Sequence, residues 1–413
     1  MTRHTVVHDA AQVVRPDPQR GVVETTPDAA VALEDGTVVA AGPTEGVTRA
    51  YPPENAATAL DAAGKTVLPG FVDPHTHAVF AGNRADEFTA KLRGKTYQEI
   101  MAEGGGILRT VRAVREASRE ELTGNLLAHL DAMLAHGTTT AEVKSGYGLS
   151  VDAELKLLDA IGAADERHPV DLVATFMGGH AVPEGRGRDA YVDEVVDEQL
   201  PATADRAAFC DVFCEAGVFS VEQSRRVLAA GREHGLAPKV HAEEFERIGG
   251  AQLAADLGAT SADHLLQATA EDADALAAAG VTPVLLPGTA FALDTDYADP
   301  DRFGAAGADV AVATDFNPNC FSQSMEFAVD LACHGMRMPP GEAVRAATAT
   351  AASALDLTDG TGTLAEGAPG DLVVADVPSH EHLPYNFGVG TTETVLKRGR
   401  VVHDAGEVVP GAG

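Results

Sequence analysis

The chain has 413 residues, ample for one large domain with a smaller one attached. Its 62 acidic against 30 basic residues give a net charge of −32, which speaks against nucleic acid as a partner, because phosphate binding needs a basic surface. No apolar stretch reaches the roughly 20 residues of a membrane span, and the start, MTRHTVVHDA, lacks the apolar run of a signal peptide; the expectation is a cytoplasmic protein without membrane contact.

Residues 1–68 read as strands and turns. In AVALEDGTVVAAG (30–42), Asp35-Gly36 is a favoured two-residue turn between apolar runs and predicts a hairpin. Then eight short apolar runs follow one another: 70–77, 138–146, 171–180, 210–217, 237–244, 259–266, 281–288 and 309–317. Helix-like stretches lie between them, for example 149–166, 221–235 and 245–257, and the Gly-rich EGGGIL (103–108) reads as a loop near a site. Eight strand–helix alternations predict an α/β fold, a closed (β/α)8 barrel, with a doubly wound open sheet as the runner-up. The last fifty residues return to strand patterns at 362–377 and 394–404. The two ends are expected to join as a small β-sandwich, 1–68 with 356–413, around a barrel of 69–355.

Acidic residues are spread along the chain, as in DEVVDEQ (193–199) and EDADA (271–275), and arginine outnumbers lysine. Such a surface suits high salt, where screening removes self-repulsion, and points to a salt-loving source; the alternative is an ordinary acidic enzyme. Of the four cysteines, Cys210 and Cys214 stand four apart in an apolar segment and read as buried thiols in a reducing compartment.

Barrel chemistry sits at the C-terminal ends of the strands. The unusual residues fall there: His75 and His77 after the first run, His180 after the third, His241 and Glu244 at the fifth, His264 at the sixth, Asp315 and Asn317 at the eighth. Residues i and i+2 of a strand share a face roughly 6–7 Å apart, so His75 and His77 can grip one ion while Thr76 points away. H-x-H alone is as readily two core or surface histidines; the further histidines and the aspartate decide for a metal. Imidazole and carboxylate suit zinc or iron, which lowers the pKa of water and polarises a carbonyl.

This arrangement resembles the amidohydrolase superfamily, whose mark is H-x-H on strand one, histidines on strands five and six and aspartate on strand eight. The resemblance implies His75, His77, His241 and Asp315 as ligands, with one zinc or iron ion per chain and a homodimer. Many dinuclear members carry a carboxylated lysine on strand four. The fourth run here, CDVFCEAG, has Glu215 instead, and Lys144 belongs to the second run, which argues for one metal. Glu215 leaves a second ion open, or is a partner for a neighbouring basic group.

The motifs DPHTHAVFAGNR, EVKSGYGL, FMGGHAVP, VHAEEF, SADHLL and ATDFNPN, in that order, resemble a branch of the superfamily that acts in histidine degradation. That branch opens the ring amide of an imidazolone bearing a propanoate, a small-molecule substrate. A carboxylate in a pocket wants a guanidinium fork, which Arg84 can supply. Tyr147, His180, Glu244 and Asn317 are the further substrate contacts the resemblance implies. Glu244, His264 and Asp315 are the candidates for moving protons, unranked. After Asn317-Pro318 the family pattern has glycine and a small hydroxyl residue; Asn319 and Cys320 stand there, so a backbone contact can survive but a hydroxyl contact at Cys320 cannot. The rival readings are another amidohydrolase acting on a small acidic cyclic amide, a deaminase, and a non-catalytic metal-binding protein on the same scaffold.

Overall fold

A computed structural model describes residues 4–17, 20–96, 99–100, 103–405 and 407–408. The N-terminal strands are β1 (His4–Asp17), β2 (Val22–Glu34), β3 (Thr37–Pro43), β4 (Thr58–Asp61) and β5 (Thr66–Pro69). The predicted hairpin is present: Glu34 pairs with Thr37, and Asp35 and Gly36 both take positive φ (48° and 86°), the geometry a two-residue turn demands.

Eight parallel strands follow: β6 (Phe71–Asp73), β7 (Thr138–Lys144), β8 (Asp171–Gly179), β9 (Phe209–Cys214), β10 (Ala237–Ala242), β11 (Ser261–His264), β12 (Thr282–Leu285) and β13 (Ala311–Val312). Each hydrogen-bonds to the next in chain order. The ring closes just past the strand ends, where Thr76 bridges Phe316, and the Asp315 and His77 N–H groups donate to His75 O (3.1 Å) and Phe316 O (2.9 Å). This is the expected barrel rather than an open sheet. Its closure splices the loop carrying the first two histidines to the loop carrying the aspartate.

The helices start where capping chemistry allows. Ser220 forms a capping box with Gln223 at the head of Val221–Glu233, and Val151–Asp165 covers β8. The third predicted helix, 245–257, begins only at Gly250. The five residues before it are held as a loop, because Phe245 and Glu246 N–H donate to Glu215 while Ile248 and Gly249 N–H donate to Glu243. The barrel's outer core is the seam between helices and sheet, with Leu126, Leu130, Phe176, Val212, Val240 and Leu276 fully buried.

The C-terminal strands β14 (Leu372–Ala375), β15 (Thr392–Lys397), β16 (Arg400–Asp404) and β17 (Glu407–Val408) return to the N-terminal ones. β14 pairs antiparallel with β5, so both chain ends share one nine-stranded sheet with its own core of Val13, Val31, Leu33, Val67, Leu372 and Leu396. The passage from sheet to barrel is the single residue Gly70, packed against the Thr139 side chain where a Cβ would collide. No helix among the described residues is long and apolar enough to cross a membrane. The four cysteines are unpaired.

Candidate active site

Past the C-terminal ends of the barrel strands lies a cavity of about 800 Å³. Its walls include His77, Arg84, Tyr147, His180 and His241, together with Glu244, His264, Asp315, Asn317 and Asn319. His75 lies fully buried behind them. Ile107 and Leu108, which follow the Gly-rich segment 103–106, line the cavity too, as expected for a loop near the site.

Four side chains converge. His241 Nε2 stands 3.3 Å from His77 Nε2, and Asp315 Oδ1 is 3.6 Å from His75 Nε2 and 3.7 Å from His77 Nε2. Ligand atoms roughly 2.1 Å from a tetrahedral ion stand about 3.4 Å apart, so these spacings are those of a metal's coordination edges. The chemistry agrees. Two imidazole nitrogens face each other at 3.3 Å, close enough to share a proton or a metal ion, and among the described residues His75 Nε2 is buried without a hydrogen-bond partner. Burial, then nearby positive charge, holds His75, His77 and His264 well below the usual histidine pKa, which favours the neutral imidazole a metal requires.

The ring orientations are fixed from beneath. Asp263 Oδ2 takes His75 Nδ1 at 2.7 Å, and Asp211 Oδ2 lies 3.0 Å from His241 Nδ1. Lys144 Nζ reaches both carboxylates (Asp211 2.7 Å, Asp263 3.6 Å) and Glu142 (2.8 Å); Lys239 Nζ reaches Glu142 at 2.9 Å. All five are fully buried. Burial lowers the Lys144 pKa, but Asp211, Glu142 and Asp263 overcome it and raise it above the ordinary value. Of these residues, sequence reasoning picked out only Lys144, and gave none of them a role. The signal was there: a lysine or aspartate inside an apolar strand run must find a buried partner.

Glu244 faces His264, with Oε2 3.9 Å from Nε2. Burial first, then Asp315 and Glu215, raises the Glu244 pKa well above the carboxylate norm. Burial also raises Asp315, against a hydrogen bond from the Thr289 hydroxyl. Glu243, His264, Leu265 and Asp315 all take positive φ (56°, 78°, 59° and 51°), backbone strain concentrated at the strand ends that carry the site.

On another wall, the rings of His77 and His180 stack at 4.9 Å, and Tyr147 lies 5.1 Å from His180. The Gly146 carbonyl accepts from His180 Nδ1 at 3.0 Å, at a φ of 92° where a Cβ would press on that ring. Burial chiefly, then His241, takes the His180 pKa down to about 3. Arg84 is 6% exposed; among the described residues its Nε and Nη1 are buried without hydrogen-bond partners, and Glu87 Oε2 stays 3.9 Å from Nε.

Three of the expected residues make further contacts. The Cys320 thiol is turned into the core, 3.6 Å from the Thr314 carbonyl, and forms no part of the cavity wall. Its backbone N–H is committed to Asn317 Oδ1, and its thiol also neighbours Thr289 of the cavity wall. The Asn319 side chain accepts from Lys91 Nζ (2.8 Å) and its N–H goes to Asn317 Oδ1 (2.7 Å). Among the described residues Glu215 pairs with no basic group; its oxygens accept backbone N–H groups of Ala216, Phe245 and Glu246.

The description "Amidohydrolase family" fits residues 66–402, and the chain belongs to that family. The fold agrees with an adenosine deaminase from Xanthomonas campestris solved with bound zinc (TM-score 0.76, 18% identity, covering 98% of this chain and 94% of that one). It agrees also with an atrazine chlorohydrolase from Arthrobacter aurescens (TM-score 0.71, 16% identity, 98% and 97%). Within the family the chain groups with the imidazolonepropionases. Those of Halobacterium salinarum and Haloarcula marismortui are 67% identical over 409 residues (97% of this chain, 98% of the relative) and 63% identical over 404 (97% and 96%). That of Symbiobacterium thermophilum is 50% identical over 389 residues (92% of each). Two of these three come from salt-loving genera, in keeping with the acidic surface.

Proposed function

We propose that the protein hydrolyses the ring amide of 4-imidazolone-5-propanoate to N-formimidoyl-L-glutamate, a step of histidine degradation. The observation that carries this is the pairing, in one cavity, of a His/Asp metal group with a buried arginine, two of whose nitrogens have no hydrogen-bond partner among the described residues. His75, His77, His241 and Asp315 would hold one zinc or iron ion, and their spacings fit it. When bound, the ion supplies a more acidic water and a polarised carbonyl.

The chain's own residues do the rest. Arg84 takes the propanoate through its guanidinium, a planar group suited to a planar carboxylate, with Nε and Nη1 unpartnered among the described residues. Tyr147 and His180 form the wall beside it, and Asn317, braced by the Asp315 carbonyl at 2.7 Å, shapes the opposite rim. Glu244, deep in the cavity, is placed to carry a proton from water to the departing ring nitrogen. His264 is placed to donate to the carbonyl oxygen as its carbon becomes tetrahedral, and Asp315 is a second proton acceptor on the same side. The C–N bond of the ring breaks, the oxygen of water joins the carbonyl oxygen on that carbon as the new carboxylate, one proton of water goes to the nitrogen and the other leaves to solvent.

The reading includes a homodimer, by resemblance, which sedimentation would test, and a cytoplasmic setting, which the free thiols support. The deciding experiment follows the ring absorbance of the substrate in high-salt buffer, with metal content measured on the same sample. Metal-dependent ring opening is expected. Folded, metal-loaded protein with no turnover would overturn the proposal.

A further inference from the structure

The buried charges beneath the site are unusual for a barrel interior, which is ordinarily packed with branched apolar side chains. Here β7, β9, β10 and β11 fill it with Glu142, Lys144, Asp211, Lys239 and Asp263, none exposed. Burying five charges is costly, and a set of apolar residues would pack the same space without that penalty. The contacts show an arrangement with a purpose. Lys144 Nζ is 2.7 Å from Asp211 Oδ2 and 3.6 Å from Asp263 Oδ2. Those same two oxygens face the Nδ1 atoms of His241 and His75. One ammonium thus ties together the two carboxylates that face two of the four convergent side chains.

The anchoring continues outward. Ser261 Oγ donates to Asp263 Oδ1 at 2.6 Å, and the Val212 N–H to Asp211 Oδ1 at 2.7 Å, so neither carboxylate can rotate without losing a bond. Lys239 Nζ donates to the Pro74 carbonyl at 2.9 Å, next to His75, and to Glu142, which closes the network on Lys144.

We infer that Lys144 is a positioning residue: by clamping Asp211 and Asp263 it holds the His75 Nδ1–H on Asp263 and the His241 Nδ1 against Asp211, with both Nε2 atoms turned to the metal. The inference rests on the proposed ligand set. An imidazole offered in one tautomer and one orientation binds an ion without first being ordered, and groups that orient ligands in this way typically contribute about 10–100-fold in metal affinity.

The test is zinc affinity of metal-stripped protein, read by competition with a chromogenic chelator, alongside urea unfolding of the stripped form. Asp211→Asn and Asp263→Asn keep the shape and remove the charge; Lys144→Met removes the clamp. Each is expected to weaken zinc binding about 10–100-fold. The Lys144→Met/Asp263→Asn double variant should be weakened by less than the product of the singles, because both act through one contact. Should Lys144→Met not fold, Lys144→Gln, which keeps a polar group there and removes the charge, takes its place beside the two asparagine variants. A network that served stability only would lower the unfolding midpoint and leave zinc affinity per folded chain unchanged, and that result overturns the inference. Wild type and His241→Ala separate this from the ligand assignment. Zinc uptake by wild type and its loss in His241→Ala uphold the assignment, so unaltered affinity in the asparagine variants would then count against the clamp alone. Zinc retained in His241→Ala would overturn both.

Discussion

Replacing Arg84 by methionine keeps the apolar bulk of the side chain and removes the fork. The guanidinium has two buried donors without protein partners, and each hydrogen bond between charged groups contributes about 1.5–3 kcal/mol. Two such bonds total about 3–6 kcal/mol, or roughly 10²–10⁴ in kcat/KM. Glu87 at 3.9 Å already draws on the same charge, which favours the lower end, so a loss of about 100-fold is expected. Arg84→Lys, a point charge without the planar fork, should fall between. The assay is steady-state ring opening at saturating metal, with metal content checked in each variant. Arg84→Met with kcat/KM within about three-fold of wild type would refute the carboxylate role. Loss of metal along with activity would refute its independence from the ion site.

Three more outcomes follow from other parts of the chain. Asp272 is buried and accepts from Arg247 (2.7 and 2.9 Å), Gln252 (3.1 Å) and Thr269; burial acts to raise its pKa, but these bonds outweigh it and bring it down to about 2. A depressed carboxylate stabilises above its unfolded pKa and loses that contribution as pH falls through the folded value. Asp272→Asn should therefore cost on the order of 1–2 kcal/mol at pH 7, allowing for the partly exposed Arg247, and the gap in urea unfolding should narrow as pH drops from 5 towards 2; a gap that does not change with pH would refute this. Asn319→Gly removes the anchor for Lys91, on the helix that follows Arg84, and should raise KM about five-fold with metal content unchanged, since one partly exposed bond to a charged group is lost; an unaltered KM would show the contact to be idle. With a net charge of −32, raising salt from about 0.1 M to 1 M shortens the screening length from roughly 10 Å to 3 Å and should raise Tm; a flat or falling Tm would remove the salt argument.

The eight strands and the convergent ligands were legible because apolar runs and polar strand ends follow from backbone geometry. Seven of the eight runs contain their strand, from Phe71–Asp73 to Ala311–Val312, and the fourth strand, Phe209–Cys214, begins one residue before its run. The start of the 245–257 helix was not legible, since it depends on Glu215 and Glu243 drawing off backbone N–H groups from elsewhere in the fold. Asp211 and Asp263 sit in recognised strands, yet their partners lie on β7, β10 and the loop after β6, and nothing in one strand's pattern names a neighbour two strands away. Cys320 was placed by position in a motif, whereas its orientation is set by the Thr314 carbonyl behind it.

The shared nine-stranded sheet also imposes an order on synthesis. β5 ends at Pro69 and its partner β14 begins at Leu372, so about 300 residues must be made before that pair can form. At roughly 5–20 residues per second this is a wait of about 15–60 s. Throughout it, the Thr66–Pro69 edge that β14 will cover presents unpaired backbone to the crowded cell, the kind of edge that recruits stray strands. The barrel is thus translated inside an unfinished sheet, and a ribosome that stalls within it leaves a nascent chain with an open seam.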